Sequence, residues 1–425
     1  MQTLLSQRTK KWTGLLSFLA IVLLISGLHL SCDDGSRQSK KKSRPEIKTS
    51  ETKIEAKGLK DKLNPGKKSD SIPGEELSDI KVNSLYNETA RFLAAMPLDK
   101  SSQFYAKTQT KSYLKYKRTM DWLWKTHQKP NLDKIVSWRK KTLQIKPNDT
   151  VLYPFSGPDI LNALAFYPNA KEYIMFGLEK PGEMPKLHKA SARSMNYGLL
   201  MLNKALHYLV IRNYFITMSM QQDMKVNSFS SFTGVMMFLL ARYDYEVLEV
   251  KKISINRHAK VVQGHIRSRY MIAGIEISFR KDPDSPVQRL RYFSQNVEHS
   301  YINRYPHFIR YLSAKNNYST IIKAASFLMH IHAFKKVRDL VLSRSEHIIQ
   351  DSSGIPMKYF SQKQWHITYY GKYLRPIRPF KMFFDKILYF GTKNKSKGLL
   401  PFQYGYDYLN KQAHLIILKK KRPGK

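Results

Sequence analysis

Between Val151 and Glu179 the chain reads VLYPFSGPDILNALAFYPNAKEYIMFGLE, and its hydrophobic pattern changes twice. Val151–Phe155 is a short apolar run bounded by a Ser-Gly-Pro turn, the pattern of a buried strand. Gly157, Pro158 and Asp159 then open a helix. Proline suits a first helical turn, where its missing N–H costs nothing, and an aspartate there complements the helix dipole. Ile160, Leu161, Leu164 and Phe166 carry the helix, Pro168-Asn169 ends it, and Glu172–Leu178 forms a second strand that finishes in Glu179. Strand, tight turn, helix and strand make a β-α-β unit, which commits this part of the chain to a parallel strand pair with a helix packed across it.

That order resembles the opening unit of Rossmann-like domains, including class I S-adenosylmethionine-dependent methyltransferases. In those families the turn backbone faces the ligand, and an acid after the second strand takes the ribose hydroxyls. Glu179 stands 22 positions after Gly157. The resemblance therefore implies Gly157 as the turn glycine and Glu179 as the ribose acceptor, with Ser156 and Asp159 beside them as ligand-binding candidates. The chain departs from the pattern in three ways. The glycine series is reduced to Gly157, Pro158 removes a donor, and Asp159 puts a carboxylate where a dinucleotide's pyrophosphate would rest. This argues against NAD and FAD; a ligand bearing an ammonium group, such as an adenosylmethionine, conflicts less. The competing reading is a β-α-β unit that binds nothing and only builds the sheet.

The expected fold class is α/β: a degenerate Rossmann-like sheet with a helical N-terminal preface and additional C-terminal strands. In the preface, residues 81–150, apolar side chains recur at three- and four-residue spacing, most clearly Tyr113, Tyr116, Met120 and Trp124. Aromatics interleaved with lysines could stack on nucleic acid, but such a stripe is more often the buried face of a helix. Within the body, residues 151–425, ASARSMNYGLLMLNKALHYLVIRNYFITMSMQQ and SSFTGVMMFLLARYDYEV read as helices. From Val247 the period shifts towards two, and YEVLEVKKISI, KVVQGHIRSRY, IAGIEISFR and VQRLRYFS read as strands, the last two joined by KDPDSP. The stretch YSTIIKAASFLMHIHAFKKVRDLVLSRSEHII reads as helical. The tail alternates aromatics with turns in WHITYYGKY, FQYGYDY and HLIILKKK.

His330 and His332, two apart on an expected helix, make a poor metal pair, and no histidine spacing marks a metal site. Asp351, Ser352 and Ser353 could join a distant histidine, but there is no nucleophile elbow, and a helix C-cap at Gly354 is the simpler reading. No catalytic residue is assigned. The pieces YPFSGPD, YIMFGLE, SGIPMKYF, YGKYLRPI and LPFQYGYDY also resemble a family of uncharacterised bacterial proteins over residues 85–420, a likeness that brings no activity with it.

The first 80 residues speak to location. Arg8, Lys10 and Lys11 precede an apolar run from Trp12 to Leu30, the layout of a secretory signal and long enough for one membrane span. Flanking positive charge stays in the cytoplasm, so the body belongs outside the inner membrane. Cys32, the only cysteine, follows the run. The junction His29-Leu30-Ser31-Cys32 resembles a relaxed bacterial lipoprotein signal, in which the cysteine left by signal peptidase is acylated. Ser31 fits that pattern, Leu30 is bulky for it, and His29 departs from it. Residues 1–31 are then a signal peptide or an uncleaved anchor, and Cys32 is a lipid attachment point or the outer end of that anchor. Residues 32–80, rich in Lys, Ser, Glu and Pro with no helical or strand period, form a disordered basic tether.

Lys and Arg number 73 against 32 acids, a formal net charge of +41. Such a chain is drawn to polyanions: anionic lipid, an acidic envelope polymer or nucleic acid. Three functional readings follow. The first is a membrane-tethered extracytoplasmic lipoprotein that binds an envelope component. The second is a transferase-like enzyme with a methyltransferase-like cleft, and the third an anchored nucleic-acid binder.

Overall fold

The computed structural model describes residues 83–143, 149–212, 231–264, 268, 270–406 and 413–421. The apolar segment, Cys32 and the tether lie outside the described residues. Among the described residues no helix is long and apolar enough to cross a membrane.

The chain enters through α1 (Ser84–Leu93), α2 (Tyr105–Thr108), α3 (Lys111–Leu123) and α4 (Lys129–Thr142). Asn83 and Thr110 cap α1 and α3 by accepting backbone N–H groups of Leu85 and Tyr113. A π-turn, Trp124–Gln128, links α3 to α4, and Pro130 lies in the first turn of α4. Tyr113, Tyr116, Met120 and Trp124 are all buried, so the aromatic stripe is core. The Tyr113 hydroxyl donates to the Phe92 carbonyl at 2.8 Å and ties α3 to α1.

The sheet begins with β1 (Thr150–Pro154), crosses through α5 (Ile160–Phe166) and returns as β2 (Glu172–Gly177), the β-α-β unit expected from the sequence. Side chains on both strands alternate between the two faces. Val151, Tyr153, Tyr173 and Met175 enter one apolar cluster; Leu152, Ile174 and Phe176 enter the other. Two helices follow, α6 (Ala192–Arg212) and α7 (Phe232–Arg242), then β3 (Glu246–Ile255), β4 (Val261–Gln263), β5 (Ile272–Arg280) and β6 (Gln288–Ser294). The helices α8 (His299–Arg304) and α9 (His307–Ser313) lead to β7 (Tyr318–Ile322), α10 (Lys335–Arg344) and β8 (Ser345–Gln350). The chain ends in β9 (Trp365–Gly371), α11 (Lys386–Lys395) and β10 (His414–Lys420).

The ten strands form one mixed sheet in the order β4-β3-β5-β6-β2-β1-β7-β8-β10-β9. Its middle, β6-β2-β1-β7-β8, is parallel; the remaining strands pair antiparallel on either side. Residues of α1 and α3 to α7 fill the cluster on one face, and residues of α8 to α11 fill the other. A parallel sheet covered on both faces explains why β1 and β2 read as nearly continuous apolar runs.

One stretch differs from expectation. YSTIIKAASFLMHIHAFKKVRDLVLSRSEHII is a strand–helix–strand unit, not a helical one. Its strands are five and six residues long, and an apolar run that short fits a buried helix turn as well as a buried strand.

Where β6 meets its neighbours, Arg291 donates to Glu276 at 2.7 Å and to Glu172 at 2.9 Å, and Lys315 also reaches Glu172. Burial works against the Arg291 charge, but Tyr311, Glu172 and Glu276 outweigh it and hold the guanidinium more firmly protonated than usual. At the opposite end, Gly371 pairs with His414 across β9 and β10, with φ at 75°. A Cβ there would stand 2.0 Å from the Ala413 carbonyl oxygen, a backbone atom that has no rotamer to escape into. Gly371→Ala should therefore lower the unfolding free energy by more than about 1 kcal/mol, read as a lower urea midpoint at unchanged slope.

Candidate functional site at the carboxyl ends of the parallel strands

From β1 the chain goes to β2 and β6 on one side of the sheet and to β7 and β8 on the other. The loops after β1 and β7 therefore part in opposite directions. In open α/β sheets the crevice at such a divergence is where ligands bind. Three of the four sequence-predicted ligand-binding residues lie in the loop after β1. The fourth, Glu179, lies two residues past β2.

Asp159 is the N-cap of α5, and its carboxylate is the centre of the site. Oδ1 accepts the Asn162 backbone N–H at 3.4 Å and the Asn162 side-chain amide at 3.1 Å. Oδ2 accepts the Tyr153 hydroxyl at 3.0 Å, the Asn162 amide at 2.9 Å and the Lys323 ammonium at 2.7 Å. An ionised carboxylate offers about four lone-pair sites, and these contacts occupy them. The Asp159 and Lys323 side chains are 3% and 1% exposed. Burial, reinforced by the Asp159 charge, pushes the Tyr153 phenol well above its ordinary pKa, so it stays a donor. Pro158 precedes this cap rather than occupying the first helical turn.

Ser156 and Gly157 complete the turn. The Ser156 hydroxyl donates to the Gly157 carbonyl at 2.8 Å, and both Phe155 and Gly157 hold left-handed backbone, with φ of 57° and 53°. Glycine adopts that region freely, whereas phenylalanine does so at a cost of about 1–3 kcal/mol. Glu179 faces β6: its carbonyl accepts the Tyr292 hydroxyl at 3.1 Å. Its carboxylate lies against Gly177, where a Cβ would come within 2.8 Å of Oε2. The structure thus gathers Ser156, Gly157 and Asp159 into one turn and directs Glu179 towards Tyr292.

Lys323 was not marked by the sequence, and neither were the residues that hold the loop after it. Ala324, Ser326 and Phe327 all have positive φ, at 51°, 51° and 57°. Asp351, just past β8, accepts the Ala324 N–H at 3.1 Å and the Ser353 N–H at 3.0 Å, while the Ser353 hydroxyl accepts the Ala325 N–H at 2.8 Å. Tyr406 donates to the Ala324 carbonyl at 2.7 Å, and Phe327 stacks on Phe383 with 5.4 Å between centroids. Asp351, Ser352 and Ser353 follow a strand and brace this loop, which corrects their reading as a helix C-cap. They do meet distant histidines, through the backbone: the Ser352 N–H donates to His414 Nε2 at 2.9 Å, and its carbonyl lies 3.2 Å from His330 Nε2.

Two buried polar atoms here, Asn162 Oδ1 and the Tyr404 hydroxyl, have no hydrogen-bond partner in the structure and suit an ordered water. His330 and His332 fall in separate short 3-10 turns, and among the described residues no cluster of three or more His, Cys, Asp or Glu could hold a metal ion. A broad groove of about 1120 Å³ opens at the other end of the sheet, lined by Asn317, Arg344, Trp365 and Lys420 among others, away from every residue singled out in the sequence.

No signal in the sequence distinguishes Lys323 from the chain's other lysines. The usable clue is its context, a lysine between the β-branched run STII and the small residues Ala324 and Ala325. Compared with family models, curated proteins and solved structures, the chain matches none of them.

Lys323→Met should lower the unfolding free energy by about 3–5 kcal/mol, since Asp159 would be left buried without its partner. Adding Asp159→Asn to that variant should recover part of the loss, and urea titration of both variants reads the coupling. A second expectation concerns pH. Burial lowers the His330 pKa from 6.5 to about 4, despite the opposing Ser352 hydrogen bond. The unfolded chain then binds this proton near pH 6.5 and the folded chain only near 4, so stability present above pH 6.5 is lost as pH falls towards 4. His347, lowered to about 4 mainly by burial, adds a loss in the same window. Thermal midpoints recorded from neutral pH downwards should fall accordingly, and His330→Gln should flatten the decline in part.

Proposed function

We propose that this chain is a membrane-tethered extracytoplasmic protein whose body works by binding an anionic envelope component rather than by cofactor chemistry. The observation that carries this reading is the saturated Asp159. At the strand divergence, where a doubly wound sheet takes its ligand, the carboxylate and the Lys323 ammonium are buried against each other. Asp159 caps α5 from within the chain, so the Asn162 N–H at this helix start meets a carboxylate of the chain itself. The address comes from the apolar segment and Cys32, and the choice of an anionic partner from the net charge of +41.

The Rossmann-like reading of the body belongs to this proposal. Counted along the chain, the parallel strands stand in the order third, second, first, fourth, fifth, that of a doubly wound sheet. Antiparallel β10, slotted between β8 and edge strand β9, is in keeping with the methyltransferase-like variant of that order. One observation favours the second reading, a transferase-like enzyme. Left-handed backbone at Phe155, Ala324, Ser326 and Phe327 collects on the loops after β1 and β7, and strain of this kind clusters at functional sites.

Two measurements separate these readings. Metabolic labelling with palmitate should mark the wild type and spare Cys32→Ala; equal labelling of both removes the lipid anchor. Thermal shift with millimolar adenosylmethionine should leave the melting midpoint unmoved. A clear shift that Glu179→Ala abolishes would instead establish the transferase-like cleft.

A further inference from the structure

The segment from Lys372 to Leu399 presents two unlike faces. Inward, Leu388, Gly391 and Thr392 of α11 are buried. Gly391 presses so closely on the Tyr369 ring of β9 that a Cβ would come within 2.5 Å of it, and the Thr392 hydroxyl accepts the Tyr373 N–H at 3.3 Å. Outward, Ile387 is 50% exposed and Phe390 45%, at helical spacing on α11. Phe384, three residues before Ile387, is 46% exposed, and Met382 in the preceding 3-10 turns is 62% exposed. Leu374 and Leu399, near the two ends of the segment, are exposed as well.

These apolar side chains are surrounded by cations. Lys372, Arg375, Arg378, Lys381, Lys386, Lys393, Lys395 and Lys397 are all exposed, and none forms an ion pair among the described residues. Asp385 is the only acid in the segment, and it is spent internally: Oδ1 caps α11 at Leu388 N, and Oδ2 accepts the Met357 N–H at 2.7 Å.

We infer that this face, along edge strand β9, docks on an anionic lipid bilayer. Phosphate headgroups meet the unpaired cations, and Met382, Phe384, Ile387 and Phe390 enter the boundary between headgroups and acyl chains. The aliphatic members decide against nucleic acid. Phe384 and Phe390 could stack on bases, but Met382, Ile387, Leu374 and Leu399 have nothing to gain from a sugar-phosphate backbone, whereas every one of them gains from an acyl layer. The inference deepens the membrane-tethered reading and rests on it only for the nearness of a bilayer; the docking face belongs to the body itself.

The test uses the full chain with phosphatidylcholine vesicles, with and without phosphatidylglycerol. Hydrogen–deuterium exchange across residues 372–399 is the first readout and needs no variant. The second is quenching of a Phe390→Trp variant by lipids brominated in the acyl chains, taken above the wild-type background. Phosphatidylglycerol should slow exchange in α11 and bring quenching, and Lys386→Gln with Lys393→Gln should weaken both on the order of tenfold. Exchange and quenching that ignore phosphatidylglycerol would overturn the inference, even with the protein held on the vesicles by its N-terminus; that outcome leaves the tether standing. Slowed exchange on phosphatidylglycerol vesicles in wild type and Cys32→Ala chains that label equally with palmitate supports docking while the lipid anchor fails. Protection by single-stranded oligonucleotide at equal phosphate, with none from vesicles, would replace the bilayer with nucleic acid.

Discussion

The ion pair between Asp159 and Lys323 joins the two loops at which the chain parts to build opposite halves of its sheet. Neither charge could be buried alone, because an unpaired ion in this interior would cost several kcal/mol. Together, with Tyr153 and Asn162 closing the remaining lone pairs of Asp159, they can. The geometry of that contact fixes much around it. Lys323 reaches Asp159 from the end of the neighbouring strand β7, and three of the four residues after it, Ala324, Ser326 and Phe327, are left-handed. Those residues are tolerated because Asp351, Ser353, Tyr406 and the Phe327–Phe383 stack hold them from the β8 side. A buried ion pair at the end of β7 thus sits beside a polar network at the end of β8.

Local period and punctuation decided which parts of the architecture were legible in the sequence. The β1-α5-β2 unit was, because Gly157, Pro158 and Asp159 punctuate it and its strands alternate cleanly between two apolar clusters. The β5–β6 hairpin was, through period-two patterning around KDPDSP. The aromatic stripe of α3 was, as core, since tyrosine and tryptophan at helical spacing have few other uses. The β7-α10-β8 unit was not. TII and HII are too short for their period to be read, and LMHIHAFKKVRDL between them is helical enough to colour both flanks. In the candidate site, Ser156, Gly157 and Asp159 could be grouped in one turn because they are local in sequence. Lys323, Asp351 and His414 act through contacts across 164, 27 and 62 positions, and no local pattern encodes such a partner.

Glu179 shows how a motif can keep its spacing and change its surroundings. It stands where a ribose acceptor would, yet Gly177 leaves room for its carboxylate to fold back, and Tyr292 on β6 holds its carbonyl. The exposed member of that turn is Leu178, an apolar side chain 67% open to solvent. At this crevice one acid is turned inward and the other is paired with lysine.

The charge that this interior lacks for a ligand is carried outside. Asp159 of the crevice is paired with Lys323, and Asp385, the one acid of the segment, is used to cap α11, so the cations between Lys372 and Lys397 meet no free carboxylate of their own segment. Mutual repulsion among them is a standing cost to the folded state, relieved wherever an anionic surface replaces water and salt as the counterion. Exposed Met382, Phe384, Ile387 and Phe390 in the same segment carry a second cost, unfavourable contact with water, that an aqueous polyanion would leave untouched. A surface that is both anionic and apolar just beneath its headgroups relieves both at once.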